Sequence, residues 1–404
     1  DCPQRNERLG WMADTQVFAE AGSFNADTSA FLRKFTRDIR DTQDARGGFP
    51  GVAPYAQYGN EPMRLGWADA GVIVPYVLWR RYGDVAPIEE NWASMSRYMA
   101  YVEKAADTDP QPFGDWLSYE YGADMEWLKP SRVKQQLPRK RFLSFVYRIW
   151  TDRMMAEMAQ ATGRAGEAAR FRAREASDTA AFRASCLAKD GTILPECGGQ
   201  CSALYALLLD ILPTPAAKSA TRAALRENFR AHGDCLQTGF LGTAILLDAV
   251  TRGMDDPALA YTLLLQDKDP SWLYSVDQGA TTIWERWNSY TKERGFGPVS
   301  MNSFNHYAYG AVLAWMYGTM AGIQEDIACP GFKHIILAPE PDKRMGHVKA
   351  CFRSPYGPIK SAWNYDAAGK WTWTFTIPAN TTATVKVPGG ETKEYVAGTY
   401  TVTK

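Results

Sequence analysis

One change of hydrophobic periodicity, near Pro330, constrains the fold more than any other feature of this sequence. From residue 12 to about residue 322, apolar side chains recur every three or four positions in successive segments, which is typical of amphipathic helices. Beyond Pro330, apolar and polar residues alternate, and Gly and Pro turns recur at intervals of about ten residues, as in a β-sandwich. The sequence therefore predicts a mainly α protein, with a helical domain over residues 1–328 and a small C-terminal β-sandwich over residues 329–404.

The helical part contains eleven predicted helices, most of them in antiparallel pairs. An (α/α)6 barrel is a closed ring of six such hairpins and contains twelve helices. We therefore expect an (α/α)6 barrel whose first helix precedes Asp1 and is missing from this sequence. An irregular bundle and an open solenoid are compatible with the same count, although no internal repeat favours the solenoid. One predicted helix covers residues 139–161, and residues 268–303 are predicted as a loop.

Charge and cysteine content exclude several classes of protein. The 45 Lys and Arg residues balance 45 Asp and Glu residues, so neither nucleic acid nor an anionic membrane is an expected partner. No apolar run reaches the ~18 residues of a membrane-spanning helix, and no signal peptide is predicted. The seven cysteines are scattered and odd in number, which indicates no disulfide framework.

Cys197 and Cys201, with His232 downstream, could be imagined as zinc ligands. A structural zinc site needs four ligands at tighter spacing, so buried thiols are the favoured interpretation. Only four histidines occur in the whole chain, which argues against a histidine-rich metal enzyme. No metal and no other cofactor is predicted.

The first fourteen residues concentrate charge ahead of the first helix. They contain three acids, two arginines and a tryptophan, and Pro3 and Gly10 mark them as a loop that enters a helix near Met12. Loops on a rigid scaffold often carry catalytic side chains. The alternative is a solvated N-terminal arm, which is the more common explanation of a charge cluster at a chain end.

A second stretch, residues 279–288, places Glu285 beside Arg286 and between Trp284 and Trp287. Tryptophan walls exclude water from a carboxyl group or stack on an apolar sugar face. A buried Glu285–Arg286 pair with packing tryptophans explains the same pattern. Together with Glu7, however, Glu285 would supply the pair of carboxyl groups that glycoside hydrolysis requires.

Three further polar and aromatic clusters lie at predicted loop–helix junctions, namely Trp67-Ala68-Asp69, Asp115-Trp116 and Asn305-His306-Tyr307. Six hairpins would bring one set of these junctions together around one mouth, the usual place for a cleft. We therefore expect a polar and aromatic pocket there.

The stretches Asp-Cys-Pro-Gln-Arg-Asn-Glu-Arg-Leu-Gly-Trp (1–11), Gly-Ala-Thr-Thr-Ile-Trp-Glu-Arg-Trp (279–287) and Asn-His-Tyr-Ala-Tyr-Gly (305–310) resemble the signatures of the α-L-rhamnosidases of glycoside hydrolase family 78. The resemblance extends over nearly the whole chain. It implies an (α/α)6 barrel and inverting hydrolysis of terminal α-L-rhamnosides. It further implies that Glu7 is the general acid and Glu285 the general base.

The same resemblance implies a substrate-binding set around these two acids. Asp1, Arg5 and Asp14 would hold the sugar hydroxyl groups, and His306 would form a hydrogen bond from the closing side. Tryptophans would line the pocket and contact the methyl group of rhamnose or flank the base, and these are Trp11, Trp67, Trp116, Trp284 and Trp287.

The sequence departs from the family pattern at Asn6, Ala13 and Asn288, where an acid, a glycine and an aspartate are common. None of these positions has a predicted catalytic role, so altered packing is expected. Family members usually carry β domains ahead of the barrel, and a chain that starts at Asp1 would place an α-amino charge inside the sugar site. A rhamnose-binding fragment without catalysis is therefore one alternative.

Two further alternatives are another (α/α)6 glycosidase, acting on a glucoside, trehalose or an unsaturated uronide, and a helical scaffold with solvated loops. The predicted partner is a carbohydrate substrate, a rhamnoside. A homodimer is left open, as are the bacterial cytoplasm and periplasm.

Overall fold

The computed structural model describes residues 7–56, 62–63, 65–105, 114–121, 130–299 and 302–404. Within these residues the chain is helical up to Met320 and forms a β-sheet from Ile323 onward. The helices are α1 (Met12–Asn25), α2 (Ser29–Asp41), α3 (Ala70–Tyr82), α4 (Ala86–Ala105), α5 (Pro130–Ala161), α6 (Ala165–Cys186), α7 (Gln200–Leu208), α8 (Pro215–Ala231), α9 (Phe240–Asp248), α10 (Pro257–Leu264), α11 (Trp272–Asp277) and α12 (Val312–Trp315).

In the described part of the chain, six helical segments close a ring. The ring runs from α1 to α3, α5, α7 and α9, then to α12 with its flanking turns, and back to α1, and each member packs against the next. The intervening helices α2, α4, α6, α8 and α10 lie outside this ring. Inner and outer helices alternate along the chain, so the inner helices run in one direction and their N-termini meet at one end of the barrel. The predicted (α/α)6 architecture is confirmed.

Burial distinguishes the two layers. In the outer helix α2, the buried side chains Leu32, Phe35, Thr36 and Ile39 form one stripe, and the remaining positions are partly or fully exposed. In the inner helix α3, most side chains are buried, since an inner helix contacts neighbours on all sides.

Two predicted boundaries are wrong. Helix α5 begins at Pro130 rather than near residue 139, and it continues through Pro138, which lies inside the helix. A short helix, α11, interrupts the segment 268–303 that was predicted as a loop. Its N-cap, Ser271, accepts a hydrogen bond from the backbone N–H of Tyr274 at 3.1 Å.

Short two-residue strands pair within the loops: β1 (Phe49–Pro50) with β2 (Pro62–Met63), and β3 (Tyr290–Thr291) with β4 (Gly295–Phe296). The C-terminal domain contains the longer strands, which are β5 (Ile323–Glu325), β6 (His334–Leu337), β7 (His347–Ser354), β8 (Gly357–Tyr365), β9 (Trp371–Lys386) and β10 (Thr392–Thr403).

Strand β9 organises this C-terminal sheet. One of its edges pairs with β10, and the other pairs antiparallel with β8 in its first half and parallel with β6 in its second half. Every second side chain from Trp371 to Ile377 is buried, as expected for a strand with one face on a core. The alternation of apolar and polar residues predicted strands in this region, and the C-terminal sheet domain confirms that prediction.

The sheet is joined to the end of the barrel opposite the N-termini of the inner helices. Arg80 and Arg81, both 3% exposed, lie at the end of α3 and bind the two carboxylate oxygens of Glu325 in β5, each at 3.1 Å. Trp363 of β8 donates its indole N–H to the carbonyl of Met320 at 2.8 Å. These contacts fix the sheet to the barrel and leave the other end open for a site.

The cysteines considered as zinc ligands have other partners. Cys197 and Cys201 are buried, with hydrogen bonds to the side chains of Cys186 and Asp115 respectively. The imidazole Nδ1 of His232 lies 2.8 Å from the carbonyl of Asn228. The described residues contain no cluster of His, Cys, Asp and Glu that could hold a metal ion. None of their helices is long and apolar enough to cross a membrane.

Candidate active site

The predicted site residues that the structure describes lie near the N-terminal end of the inner ring. Trp11 is the N-cap of α1, Trp67 precedes α3, and Trp116 hydrogen-bonds through its carbonyl to the first residue of α9. His306 precedes the 3₁₀ turn that leads into α12. Residues far apart in the chain therefore meet at one mouth, as the alternation of hairpins predicts.

Three tryptophans form a continuous wall, hereafter the tryptophan wall. The ring centroids of Trp11 and Trp67 lie 5.6 Å apart, and those of Trp67 and Trp116 lie 5.9 Å apart, both with edge-to-face geometry. Trp67, the middle member, is 4% exposed, whereas the two outer members are half-buried. The central indole ring of the wall is therefore buried, and the two outer indole rings remain partly exposed.

Glu7 is held against this wall. The indole N–H of Trp11 donates a hydrogen bond of 2.9 Å to Oε1 of Glu7. Both residues are only partly buried, so the carboxyl group remains accessible at the mouth. Asp1 and Arg5, which the sequence also places here, lie outside the described residues.

Glu285 is positioned by Ser303, further along the same loop. The carboxylate Oε2 accepts the backbone N–H of Ser303 at 2.8 Å, and the backbone N–H of Glu285 donates to the Ser303 carbonyl at 2.9 Å. The side chain of Glu285 is 3% exposed, and that of Arg286 is also buried. Asn288 is one of the positions at which the sequence departs from the family pattern. Its side-chain oxygen accepts a hydrogen bond of 3.2 Å from Nε of Arg286 and so orients the arginine.

Trp284 and Trp287 are both almost fully buried. Trp284 packs edge-on against Phe304. Trp287 stacks on Tyr309 with ring centroids 4.0 Å apart and donates its indole N–H to the carbonyl of Thr238 at 2.9 Å. Both side chains therefore brace the loop that carries Glu285, and a contact of either with substrate stays a prediction.

His306 connects the two halves of the site. Its Nε2 lies 3.0 Å from Oδ1 of Asp14, and both side chains are at least 96% buried. Nδ1 accepts the backbone N–H of Ala308 at 3.3 Å, which leaves the Nε2 hydrogen to be donated to Asp14. The backbone N–H of His306 also donates to the Ile283 carbonyl at 2.8 Å. The start of α1 is thereby tied to the loop that carries Glu285.

Buried acids occupy the same end of the barrel. Asp69 is the N-cap residue of α3, and its side chain accepts the hydroxyl of Tyr98 at 3.1 Å and the backbone N–H of Gly66. Burial raises its pKa to about 7. Burial likewise raises the pKa of Asp115 to about 6. The sequence singled out both residues only as members of polar and aromatic clusters, and assigned them no role.

Comparison with known proteins identifies the family and the fold. The model of the bacterial α-L-rhamnosidase six-hairpin glycosidase domain matches residues 1–320, and that of the bacterial α-L-rhamnosidase C-terminal domain matches residues 322–401. An α-L-rhamnosidase of Formosa agariphila is 34% identical over 391 residues, covering 96% of this chain and 41% of that protein. One of Streptomyces avermitilis is 36% identical over 394 residues, covering 96% of this chain and 36% of that protein.

Among solved structures, Streptomyces avermitilis α-L-rhamnosidase complexed with L-rhamnose superposes with a TM-score of 0.88. It is 32% identical in sequence, and the match covers 100% of this chain and 39% of that one. The chain thus spans about two fifths of the length of the relatives it matches.

Proposed function

This chain belongs to the bacterial α-L-rhamnosidase six-hairpin glycosidase family, and we propose that it hydrolyses terminal, non-reducing α-L-rhamnose from glycosides or oligosaccharides with inversion of configuration. The proposal is supported by two carboxyl groups, Glu7 and Glu285, which are held in different ways and are both linked to the start of α1. Glu7 lies on the tryptophan wall, and Glu285 lies on a buried loop that His306 ties to the start of α1.

In the proposed mechanism, Glu7 is the general acid and protonates the leaving glycosidic oxygen. Glu285 is the general base and removes a proton from the attacking water on the opposite face of the sugar ring. Inversion requires room for that water, so the two carboxyl groups should lie roughly 6.5–9.5 Å apart. The hydrogen bond from Trp11 orients the first group, and the Ser303 N–H orients the second.

The surrounding side chains suit a deoxy sugar. Rhamnose has one apolar edge, its C6 methyl group, and three hydroxyl groups. The half-buried rings of Trp11 and Trp116 offer an apolar surface for that edge. Asp14, oriented by His306, together with Asp1 and Arg5 would bind the hydroxyl groups. We also propose that the helical domain ends, and the C-terminal domain begins, at about residue 328.

The test is hydrolysis of p-nitrophenyl α-L-rhamnopyranoside, with the anomer of the released sugar followed by proton NMR. We expect the β-anomer first, and early α-anomer would refute the inverting pair. Glu7→Gln and Glu285→Gln should each lower kcat by about 10²–10⁴-fold while the protein stays folded. Glu227→Gln, an exposed change on the outer helix α8, serves as the matched control.

The outcome also separates the competing functions. A panel of aryl glycosides distinguishes a rhamnosidase from a glycosidase specific for another sugar. Folded protein that binds L-rhamnose without releasing it from any rhamnoside would contradict the enzymatic proposal and identify a binding fragment.

A further inference from the structure

The N-terminal turn of α9, residues Thr238–Gly242, is capped from outside the helix. The first backbone N–H groups of a helix lack partners within it, and a side chain at the N-cap usually supplies one. The N-cap here is Gly239, which has no side chain. The carboxylate of Asp115, more than 120 residues earlier in the chain, takes this role.

Asp115 and the next residue satisfy four successive N–H groups. Oδ2 of Asp115 accepts Gly239 N–H at 2.7 Å, and Oδ1 accepts Leu241 N–H at 2.8 Å and Gly242 N–H at 3.0 Å. The remaining N–H, of Phe240, donates to the carbonyl of Trp116 at 2.9 Å. The backbone of residues 115–116 is therefore docked directly on the end of the helix.

This docking leaves no space for larger residues. A Cβ at position 239 would lie 2.0 Å from the Trp116 carbonyl oxygen, and one at position 242 would lie 2.8 Å from Oδ2 of Asp115. The close approach of the turn thus requires glycine at position 239, and a side chain at position 242 would press on the side chains of Asp115 and Thr238. The sequence keeps the turn and the helix end in contact by two independent means, a carboxylate and two glycines.

One side of this contact leads to Glu7. Trp116 follows Asp115 directly, and its ring packs against Trp67, which packs against Trp11. Trp11 in turn donates its hydrogen bond to Glu7. The place of the tryptophan wall relative to α9 therefore depends on how Asp115 seats Trp116.

The other side leads to Glu285. Thr238, the residue before the N-cap, accepts the indole N–H of Trp287 at 2.9 Å through its backbone carbonyl. Trp287 lies two residues after Glu285, in the loop that Ser303 holds. The same turn of α9 thus contacts the supports of both carboxyl groups.

From these contacts we propose that Asp115 is a positioning residue, which sets the place of the tryptophan wall and Glu7 relative to Glu285 by seating residues 115–116 on the N-terminal turn of α9. The inference rests on the proposed hydrolysis. Asp115 is 0% exposed in this arrangement, so it acts through Trp116 and not by contact with substrate.

The direct test is Asp115→Asn, because asparagine keeps the shape but offers one acceptor oxygen and a donor amide to N–H groups that need acceptors. Displacement of a reacting group by about 1 Å costs up to about 10²-fold, so we expect kcat/KM for the aryl rhamnoside to fall by about 10–100-fold, with KM and the Kd for L-rhamnose both raised. Partial unfolding would lower apparent kcat alone. The rise in KM and Kd is therefore the discriminating result.

The matched control is Asp256→Ala, which removes the N-cap of the outer helix α10, where Oδ1 accepts Leu259 N–H at 3.0 Å. It should lower the melting temperature and leave KM and Kd unchanged. If Asp115→Asn behaves in the same way, Asp115 only stabilises a helix and the proposal is overturned.

A double-mutant cycle tests the route through Trp116. In a Trp116→Phe background, Asp115→Asn should have much less effect on kcat/KM than in the wild-type protein, and equal effects in both backgrounds would refute the route. Should Asp115→Asn fail to fold, Gly242→Ala replaces it. Its new Cβ would lie 2.7 Å from Cγ2 of Thr238 and 2.8 Å from Oδ2 of Asp115, so it should loosen the contact between Asp115 and the turn without removing the carboxylate, and the same rise in KM and Kd is expected.

Failure of this inference is distinguishable from failure of the proposed function. If wild-type protein binds L-rhamnose but releases none, hydrolysis is wrong and the Kd still tests Asp115. If the wild-type protein does not bind L-rhamnose, near-UV circular dichroism of the tryptophans tests whether Asp115 positions the tryptophan wall. A changed spectrum in Asp115→Asn with an unchanged one in Asp256→Ala supports positioning, and unchanged spectra in both overturn it.

Discussion

The hydrogen bond between His306 and Asp14 can be tested with His306→Phe. Phenylalanine keeps an aromatic ring beside Phe240, whose ring centroid lies 5.1 Å from that of the imidazole, but it removes the Nε2 donor. The Asp14 carboxylate, which accepts that donor at 3.0 Å, stays buried without it. A hydrogen bond to a charged group contributes about 1.5–3 kcal/mol, so the free energy of unfolding should fall by that amount.

The expected thermal shift follows from the chain length of 404 residues. An unfolding entropy of about 2.1 cal/mol/K per residue corresponds to about 0.8 kcal/mol/K for the whole chain, so the melting temperature should fall by about 2–4 °C. Because the bond ties the start of α1 to the loop of Glu285, kcat/KM for the aryl rhamnoside should fall by at least about tenfold.

The assay is a double-mutant cycle with Asp14→Asn, measured by urea unfolding, which isolates the coupling between the two side chains. We expect a coupling energy of about 1.5–3 kcal/mol. The control is His334→Phe in β6, where the imidazole bonds to Thr382 and Thr384 at the sheet surface and the change should stay within about 0.5 kcal/mol. A coupling energy near zero would refute the structural role given to the pair.

Three further changes have defined outcomes. Trp11→Phe removes the indole N–H that donates a hydrogen bond to Glu7, so kcat/KM measured by steady-state kinetics should fall by about 10-fold. The control, Trp92→Phe on α4, should leave kcat/KM unchanged. Because burial raises the pKa of Asp69 to about 7, its protonated form stabilises the fold fully below about pH 4, and this contribution is lost as the pH rises through 7. The melting temperature should therefore fall between pH 5 and pH 8, less steeply in Asp69→Asn, and an equal slope would contradict this. Glu325→Gln leaves the two buried arginines of α3 without their shared carboxylate and should cost about 2 kcal/mol in urea unfolding, whereas an unchanged midpoint would show that they do not hold the sheet.

Much of the architecture follows from local sequence patterns. The helical spacing of Phe31, Leu32, Phe35 and Ile39 and the alternation from Trp371 to Ile377 are read from neighbours in the chain. The helix and the strand are both confirmed, although Phe31 is exposed. The start of α5 was missed, since the helix begins at Pro130, ahead of Pro138, which the structure accommodates within the helix.

The candidate site likewise combines features that the sequence identified with contacts that only the folded structure shows. The motifs around Glu7 and Glu285 and the family resemblance are properties of contiguous residues, so the sequence identified them. The partners of these motifs are not contiguous. Asp14 meets His306, and Trp287 meets Thr238, only because the closed ring brings the N-termini of the inner helices together.

The sequence by itself therefore determined most of the helical and strand segments and which short stretches carry the carboxyl groups, because periodicity and motifs are local. Only the tertiary structure decided how those groups are held. The cap of α9 shows why, since Gly239 offers no side chain and the carboxylate that replaces it comes from Asp115 in a distant turn. A backbone N–H satisfied by a residue so far along the chain leaves no local signal, because the requirement arises only when the two segments pack together.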